Sequence, residues 1–282
     1  MRIAIVTNSL AGNGKAIVLS FKIQSLLNKI KINSQIFRET EWSKAIYEFD
    51  QVWIVGGDGT LNYFVNQFYD IKKPISLFDG GTGNDFYALL YGKMSVENQI
   101  QLILQSDPKP IDVGKCNDRF FINGVGVGFE GAVVKSLLNT KKFKGKTSFF
   151  IHILKHIFLY RERTFSIHSS DHTFEDKYLM ISIANGKRYG GGFYVAPLAL
   201  SNDGLLDTLL VKKLSIFKRL WFLPAIEKGE HLSLSFIEYF KTKKIIISCK
   251  RDIVQAHVDG EYLEGKELVI EILPSYFNFI YP

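Results

Sequence analysis

Cysteine is nearly absent from this chain: Cys116 and Cys249 are the only two among 282 residues, and neither has CxxC or Cys/His spacing around it. A disulfide framework and a structural zinc site are therefore excluded as organising devices, and a reducing compartment is expected. No apolar run is long enough to span a bilayer; the longest away from the strands is SFFIHILKHIFLY, residues 148–160. The N-terminal MRIAIVTNS turns polar too early for the apolar segment of a signal peptide, so a cytoplasmic location is expected. There is no low-complexity tract and no internal repeat. No GK[ST] follows a glycine loop, and no G-x-G-x-x-G opens the first helix, so the Walker A loop and the dinucleotide fingerprint are both missing.

What is present is glycine in two concentrated places. VWIVGGDGTLN, residues 52–62, and SLFDGGTGNDF, residues 76–86, each begin as an apolar β-rich run, break into glycines and continue with helical spacing. That is the pattern of a strand, a phosphate-wrapping turn and a helix. Without a Cβ, Gly56, Gly57 and Gly59 can take left-handed torsions and bring N–H groups close to an anion, and the next helix adds its positive end. Thr60 and Thr82 offer hydroxyls. Asp58 and Asp85 repel phosphate, so they are expected to hold Mg²⁺ through water or to fix donor groups of the loop. A third glycine turn, TNSLAGNGK at 7–15, places Asn8, Gly12 and Gly14 after the first strand, with Lys15 as a counter-charge.

Around these turns the first 110 residues or so alternate strand and helix: RIAIVTN, the helix AIVLSFKIQSLLNKI, SQIFRE, the helix WSKAIYEF, VWIV and PISLF. Buried apolar runs separated by helices predict a doubly wound parallel α/β domain with its ligand loops at the carboxyl ends of the strands. The prolines of SDPKPIDVGK, residues 106–115, mark a boundary. Beyond it, short alternating runs such as YLMISIAN, LLDTLLV and ELVIEIL predict an antiparallel β-sandwich. The expected domains are 1–112 and 113–282.

Read in order, GGDGTLN, GTGNDF, FINGVGVGFE (121–130), NGKRYGGGFYVAP (185–197), SNDGLLD (201–207), GEH (229–231) and VDGE (258–261) resemble the diacylglycerol kinase catalytic-domain family. The resemblance covers nearly the whole chain and is nearest to bacterial soluble lipid kinases, which are related to sphingosine kinases and share a nucleotide loop with NAD kinases and phosphofructokinases. It implies an NAD-kinase-like first domain, a final strand that returns to it, and ATP with Mg²⁺ as cofactors. The nucleotide would be held by Asn8, Gly12, Thr40, Gly56, Gly57, Asp58, Gly59, Thr60, Asn62, Thr82, Asn84 and Asp85. Two departures stand out: Ser9 replaces a proline usual in the first loop, and Ala88 fills the place of an arginine.

The resemblance also implies a magnesium loop at SNDGLLD, with the Asp203 carboxylate and the carbonyls of Leu200 and Leu205 as ligands. Alone, Asn-Asp-Gly reads as a plain turn. The catalytic candidates are Asp259 and Glu261, flanking Gly260 and expected to face the glycine loops across a cleft between the domains. On an extended strand both point the same way, so spacing leaves the choice of base open. An Asp-Gly hairpin is compatible with that chemistry.

The charge balance, 35 basic against 28 acidic residues, or +7, favours an acidic partner. No motif for reading RNA or DNA accompanies it, so nucleic acid is not expected. An anionic membrane surface is, with the protein peripheral at the inner face of the membrane. Basic clusters at 141–146, 212–219 and 241–244 read mainly as solvated faces. Residues 148–160 predict an amphipathic helix with Phe149, Phe150, Ile153, Leu154, Ile157 and Phe158 on the packed side and His152, Lys155 and His156 opposite. The expected activity is ATP-dependent phosphorylation of a lipid hydroxyl, on diacylglycerol or a close analogue. The alternatives are a catalytically idle lipid-binding protein and an NAD kinase-like enzyme. The sequence leaves open which lipid is used and whether a homodimer forms.

Overall fold

The apolar run RIAIVT forms β1 (Arg2–Thr7), followed by α1 (Lys15–Lys29), β2 (Asn33–Phe37), β3 (Gln51–Gly56), α2 (Asp58–Gln67), β4 (Ile75–Asp79), α3 (Asp85–Tyr91) and α4 (Val96–Gln105). These elements belong to the first of two units in a computed structural model, made of Met1–Ile111 and Ser275–Pro282; the second is Asp112–Pro274. The structure describes residues 1–9, 11–38, 41–138, 146–250 and 252–282.

In the first unit the strands lie parallel in the order β2, β1, β3, β4, with Ile5 beside Ile36 and Trp53, and Val55 beside Phe78. The uninterrupted apolar runs of β1, β3 and β4 follow from burial on both faces, whereas β2, at the edge, is polar and partly exposed. On one face Ile3, Ile5, Trp53 and Phe78 pack against Ile23 and Leu27 of α1 and Ile100 and Ile103 of α4. The end of the chain completes the sheet, where Phe279 pairs in parallel with Ile75. Because the strands run parallel, β1, β3 and β4 deliver Thr7, Gly56 and Asp79 to one edge of the sheet. The segment WSKAIYEF, expected as a helix, forms only a 3₁₀ turn over Lys44–Glu48. The Trp42 indole N–H donates to the Thr7 carbonyl at 3.1 Å and Phe49 is already extended toward β3, which leaves too few residues for a longer helix.

The second unit contains β5 (Lys109–Cys116, entering from the first unit), β6 (Arg119–Phe121), β7 (Gly124–Gly128), α5 (Phe129–Leu138), α6 (Lys146–Leu159), β8 (Arg163–Ser169), β9 (Thr173–Ala184), β10 (Leu206–Lys212), α7 (Ile216–Lys228), β11 (Ile237–Thr242), β12 (Lys244–Cys249), β13 (Val254–Val258), β14 (Glu261–Gly265) and most of β15 (Glu267–Phe279). The pairing β14, β13, β7, β9, β8, β12, β15 is antiparallel, and β10 joins β9 to β11. Alternation divides the side chains: Ile181, Ile183, Leu206 and Leu210 enter the sandwich core with Ile245 and Ile247, whereas Met180, Leu209 and Val211 pack against Phe222 and Ile226 of α7.

Helices cover more of this unit than its sequence texture led us to expect. Helix α7 falls on the run 212–219 that reads as a basic cluster and carries Pro224 inside it. The expected amphipathic helix is α6, but its stripe divides: Ile153 and Ile157 are buried, whereas Phe150 and Phe158 are exposed. His152 and His156 are half-buried, with His152 Nδ1 2.6 Å from Ser136 Oγ, and burial lowers the pKa of His152. Of the cluster 141–146, only Lys146 lies within the described residues.

Candidate active site

Three loops leave the carboxyl ends of β1, β3 and β4, and contacts that only glycine permits lock them together. A Cβ on Gly57 would stand 2.4 Å from the Gly83 carbonyl oxygen, and one on Gly12 would stand 2.2 Å from that of Gly80. The expectation of left-handed torsions at Gly56, Gly57 and Gly59 is corrected here. Gly57 is near-extended at φ −109° and ψ −170°, and the left-handed residues lie in the first loop, at Gly12, Asn13 and Gly14. Gly56 and Gly57 are glycines because another backbone or side chain occupies the space of a Cβ; over Gly59 and Gly14 that space is open.

Asp58 ties the second loop to the third. Its N–H donates to the Gly83 carbonyl at 2.9 Å, and its carboxylate accepts from the N–H of Asp85 at 2.8 Å and of Phe86 at 3.0 Å. The first turn of α3 is thus capped by a residue 27 positions away. Asn84, at the N-cap position of α3, makes no side-chain cap bond; its Nδ2 donates to Asp79 Oδ1 at 2.7 Å and to the Gly81 carbonyl at 3.0 Å. Lys15 Nζ reaches the same Asp79 oxygen at 3.1 Å, so Asp79 joins the first loop to the third. Sequence reasoning missed Asp79; the signal was its place at a strand end before two glycines.

The remaining nucleotide candidates are less uniform. Thr60 is buried beneath Gly56, Asp85 is buried, and Thr82 is exposed. The Asn8 carbonyl accepts from Ala11 N–H at 3.0 Å, and that of Asn62 accepts from Asn66 Nδ2 at 2.9 Å. Thr40 lies outside the described residues. Beside the first loop is a broad depression, about 1650 Å³ to its open mouth, lined by Gly12, Asn13, Gly14, Lys15, Lys22 and Lys93 among others. Two of these lysines are paired at exposed positions, Lys15 with Asp79 at 3.1 Å and Lys22 with Glu97 at 2.8 Å, pairs weak enough for a polyphosphate to compete with.

In the second unit, Asp259 and Gly260 both have positive φ and connect β13 to β14, with Val258 opposite Glu261, which is a two-residue Asp-Gly hairpin. The Asp259 carboxylate accepts three backbone N–H bonds, from Ile122 at 2.7 Å, Asn123 at 2.9 Å and Gly124 at 2.8 Å. Glu261 is exposed.

Near this hairpin an apolar cleft of about 710 Å³, counted to its open mouth, runs between α5, α6, α7 and the sheet, with Val133, Ile153, Ile157, Met180, Phe222 and Ile226 in its walls. Its polar lining includes Glu130, Tyr189 and His257. Glu130 accepts from Ser182 Oγ at 2.8 Å and Tyr189 OH at 3.2 Å, and lies 3.1 Å from His257 Nε2. Because His257 Nδ1 accepts from Gly260 N–H at 3.3 Å, Nε2 carries the ring proton and donates to Glu130. The Tyr189 hydroxyl pKa is pushed well up, first by burial and then by the Glu130 charge, so it stays a donor. Gly126 leaves room for this group: a Cβ there would overlap Glu130 Oε2. Sequence reasoning gave Glu130 no role, although a carboxylate directly after the apolar GVGVGF run was a readable signal.

The loop SNDGLLD is organised around an ammonium. Lys241 Nζ lies 2.7 Å from Asp203 Oδ2 and 3.6 Å from Asp207 Oδ2, Asp203 Oδ1 accepts the Leu205 N–H at 3.1 Å, and Asp112 accepts that of Gly204 at 2.7 Å. Leu200 has an exposed side chain. As arranged, the Lys241 ammonium lies where the carboxylates of Asp203 and Asp207 converge, one positive charge against two negative ones.

Residues 2–116 match the diacylglycerol kinase catalytic domain, and residues 123–281 match the YegS C-terminal NAD kinase beta sandwich-like domain. A protein of Shewanella frigidimarina named probable lipid kinase YegS-like is 31% identical over 239 residues, 82% of this chain and 76% of that one. Its namesake in Yersinia pestis is 30% identical over 232 residues, 78% of this chain and 74% of that one. The chain therefore belongs to the diacylglycerol kinase catalytic-domain family, among the YegS-like lipid kinases. Among solved structures, a diacylglycerol kinase from Bacillus anthracis has a TM-score of 0.75 at 23% identity, covering all of this chain and 97% of that one. An NAD kinase from Archaeoglobus fulgidus in complex with ATP has a TM-score of 0.59 at 14% identity, covering 99% of this chain and 93% of that one. These two likenesses concern the fold.

Proposed function

We propose that the protein transfers the γ-phosphoryl group of ATP, taken up with Mg²⁺, to the hydroxyl of diacylglycerol or a related lipid. The observation that carries the lipid half of this reading is the apolar cleft of the second unit, where Glu130, held by Ser182, Tyr189 and His257, forms a polar cluster in a wall that is hydrophobic apart from it and Arg219. Such a site suits a chain-bearing alcohol: the walls take the acyl carbons and the polar group takes the head. The lysine-rimmed depression and the interlocked loops of the first unit support the ATP half, with Asn8, Gly12, Gly56 to Thr60, Asn62, Thr82, Asn84 and Asp85 as the residues around the nucleotide.

In the proposed step the lipid oxygen forms a bond to the γ-phosphorus as the bond to the β–γ bridging oxygen breaks, ADP leaves, and the hydroxyl proton passes to a carboxylate of the Asp-Gly-Glu hairpin. When bound, Mg²⁺ screens the phosphate charges. In a loose transition state the hydroxyl gives up its proton late, so placement of the base matters more than its strength. That favours Asp259, fixed by three N–H bonds, over the exposed Glu261. A divalent ion at the Asp203 loop would have to displace Lys241.

Incubation with γ-labelled ATP, Mg²⁺ and a total lipid extract tests the reading. The expected result is label in one organic-soluble product, reduced by Glu130→Gln through a raised KM for lipid. Transfer of label to NAD, or none to any lipid, overturns it.

A further inference from the structure

Helices α6 and α7 are apolar on two sides. Toward the protein they present Ile153 and Ile157, and Phe222 and Ile226, which line the cleft. A surface helix ordinarily turns polar residues to water on its other side. Here that side carries Phe158 and Leu159 on α6, and Phe217, Leu220 and Trp221 on α7, with Phe217 84% exposed and Trp221 58% exposed. Buried Arg219 joins the two helices. Its guanidinium donates to the carbonyls of Ile157 and Tyr160, both at 2.9 Å, and pairs with buried Glu162 at 2.7 Å. The α6 turn bearing Phe158 and Leu159 is thereby fixed against the α7 turn bearing Phe217, Leu220 and Trp221.

The charges around these side chains indicate the occupant. Lys155, Arg161, Lys213 and Lys218 are exposed, and none is in an ion pair among the described residues. The buried centre of a protein interface is depleted of lysine. Aromatic residues interleaved with unpaired lysines match the headgroup layer of an anionic bilayer, where rings enter the acyl boundary and lysines reach phosphates. Neither helix can cross: α6 is 14 residues and α7 is 13, and no helix among the described residues is long and apolar enough to span. The same helices also wall the cleft, so a lipid could pass from the layer they touch into the space between them.

We infer that the outward faces of α6 and α7 are the surface by which this protein lies on an anionic lipid bilayer, with Phe217 and Trp221 entering the acyl boundary. This deepens the lipid kinase reading and rests on it for the purpose of docking, though not for the docking itself.

Of the three tryptophans, Trp42 and Trp53 are buried, so a change in fluorescence on exposure to vesicles reports Trp221. The full chain, without ATP, is mixed with phosphatidylcholine vesicles with and without phosphatidylglycerol. Expected are a blue shift and quenching by brominated acyl chains only with phosphatidylglycerol, loss of vesicle affinity by about tenfold or more in Phe217→Asp, and a shallower salt dependence in Lys218→Gln. Unchanged fluorescence, or wild-type vesicle binding by Phe217→Asp, overturns the inference. So does a dimer in light scattering that shields Trp221 from acrylamide, since the face would then be a contact between copies. Phosphorylation of detergent-dispersed lipid separates the two readings: Phe217→Asp should retain it, whereas failure of the wild type there counts against the kinase reading alone.

Discussion

Asp58 and Asp259 each hold backbone N–H groups from a distant part of the chain, but they hold different things. Asp58 accepts from Asp85 and Phe86, both in the first turn of a helix, so it caps α3 and fastens one glycine loop to the next. Asp259 accepts from Ile122, Asn123 and Gly124, which lead into a strand rather than a helix, and it does so from the left-handed corner of a hairpin. One carboxylate shapes a glycine loop; the other fixes its own position. Loss of the first should therefore appear mainly in nucleotide affinity, and loss of the second mainly in turnover.

The largest effect is expected at Asp259. Asn in its place offers one acceptor oxygen and turns an NH₂ toward three converging donors, so at least one N–H loses its partner. Urea unfolding should show a loss of about 1–3 kcal/mol. Steady-state kinetics on the lipid that the wild type labels should show kcat lower by roughly 10²- to 10⁴-fold with ATP affinity little changed. Full turnover by both Asp259→Asn and Glu261→Gln would put the base elsewhere. Asp58→Ala should have a smaller effect on stability, about 0.5–2 kcal/mol, the range for losing a helix cap. Titration with a fluorescent ATP analogue should show weaker binding, while kcat at saturating ATP falls less than in Asp259→Asn. The reverse order of kcat effects would erase the contrast between the two carboxylates.

The contrast also marks how far the sequence could be read. The two-part fold was legible, because continuous runs such as QVWIVG belong to strands covered on both faces and alternating runs such as LDTLLVK to a sandwich. The glycine loops were legible as loops. Their interlocking was not, since the approach of Gly12 to Gly80 and of Gly57 to Gly83 depends on strand order, which local pattern does not encode. For the same reason nothing near Asp259 in sequence points to amides 135 to 137 positions earlier. Helix α7 was hidden by Pro224 and by lysines that read as a solvated face. The stripe on α6 gave the helix, but periodicity cannot say which apolar residues a neighbouring helix will leave in water.

His231 sharpens the comparison from the side of titration, with the smallest expected effect. Unlike the two carboxylates, it sits in a hydrophobic place: it is fully buried, its ring lies 5.9 Å from that of Phe222, and its Nε2 donates to the Val195 carbonyl at 3.0 Å. Burial lowers its pKa below the ordinary 6.5, outweighing the hydrogen bond to the Val195 carbonyl that acts the other way. Between 6.5 and the lower folded value the unfolded chain therefore binds more protons than the folded one, so stability rises with pH through that window and falls as pH drops below about 6.5. One such group contributes a slope of at most about 1.4 kcal/mol per pH unit. Urea midpoints measured from pH 7.5 down to 5.5 should fall in the wild type and fall less steeply in His231→Gln, which cannot take up the proton. At pH 7.5 the variant should be the less stable of the two, because the glutamine packs poorly against Phe222, and the gap should narrow toward pH 5.5. Parallel curves would mean that His231 is protonated as readily in the folded protein as in the unfolded chain, and that burial does not control it.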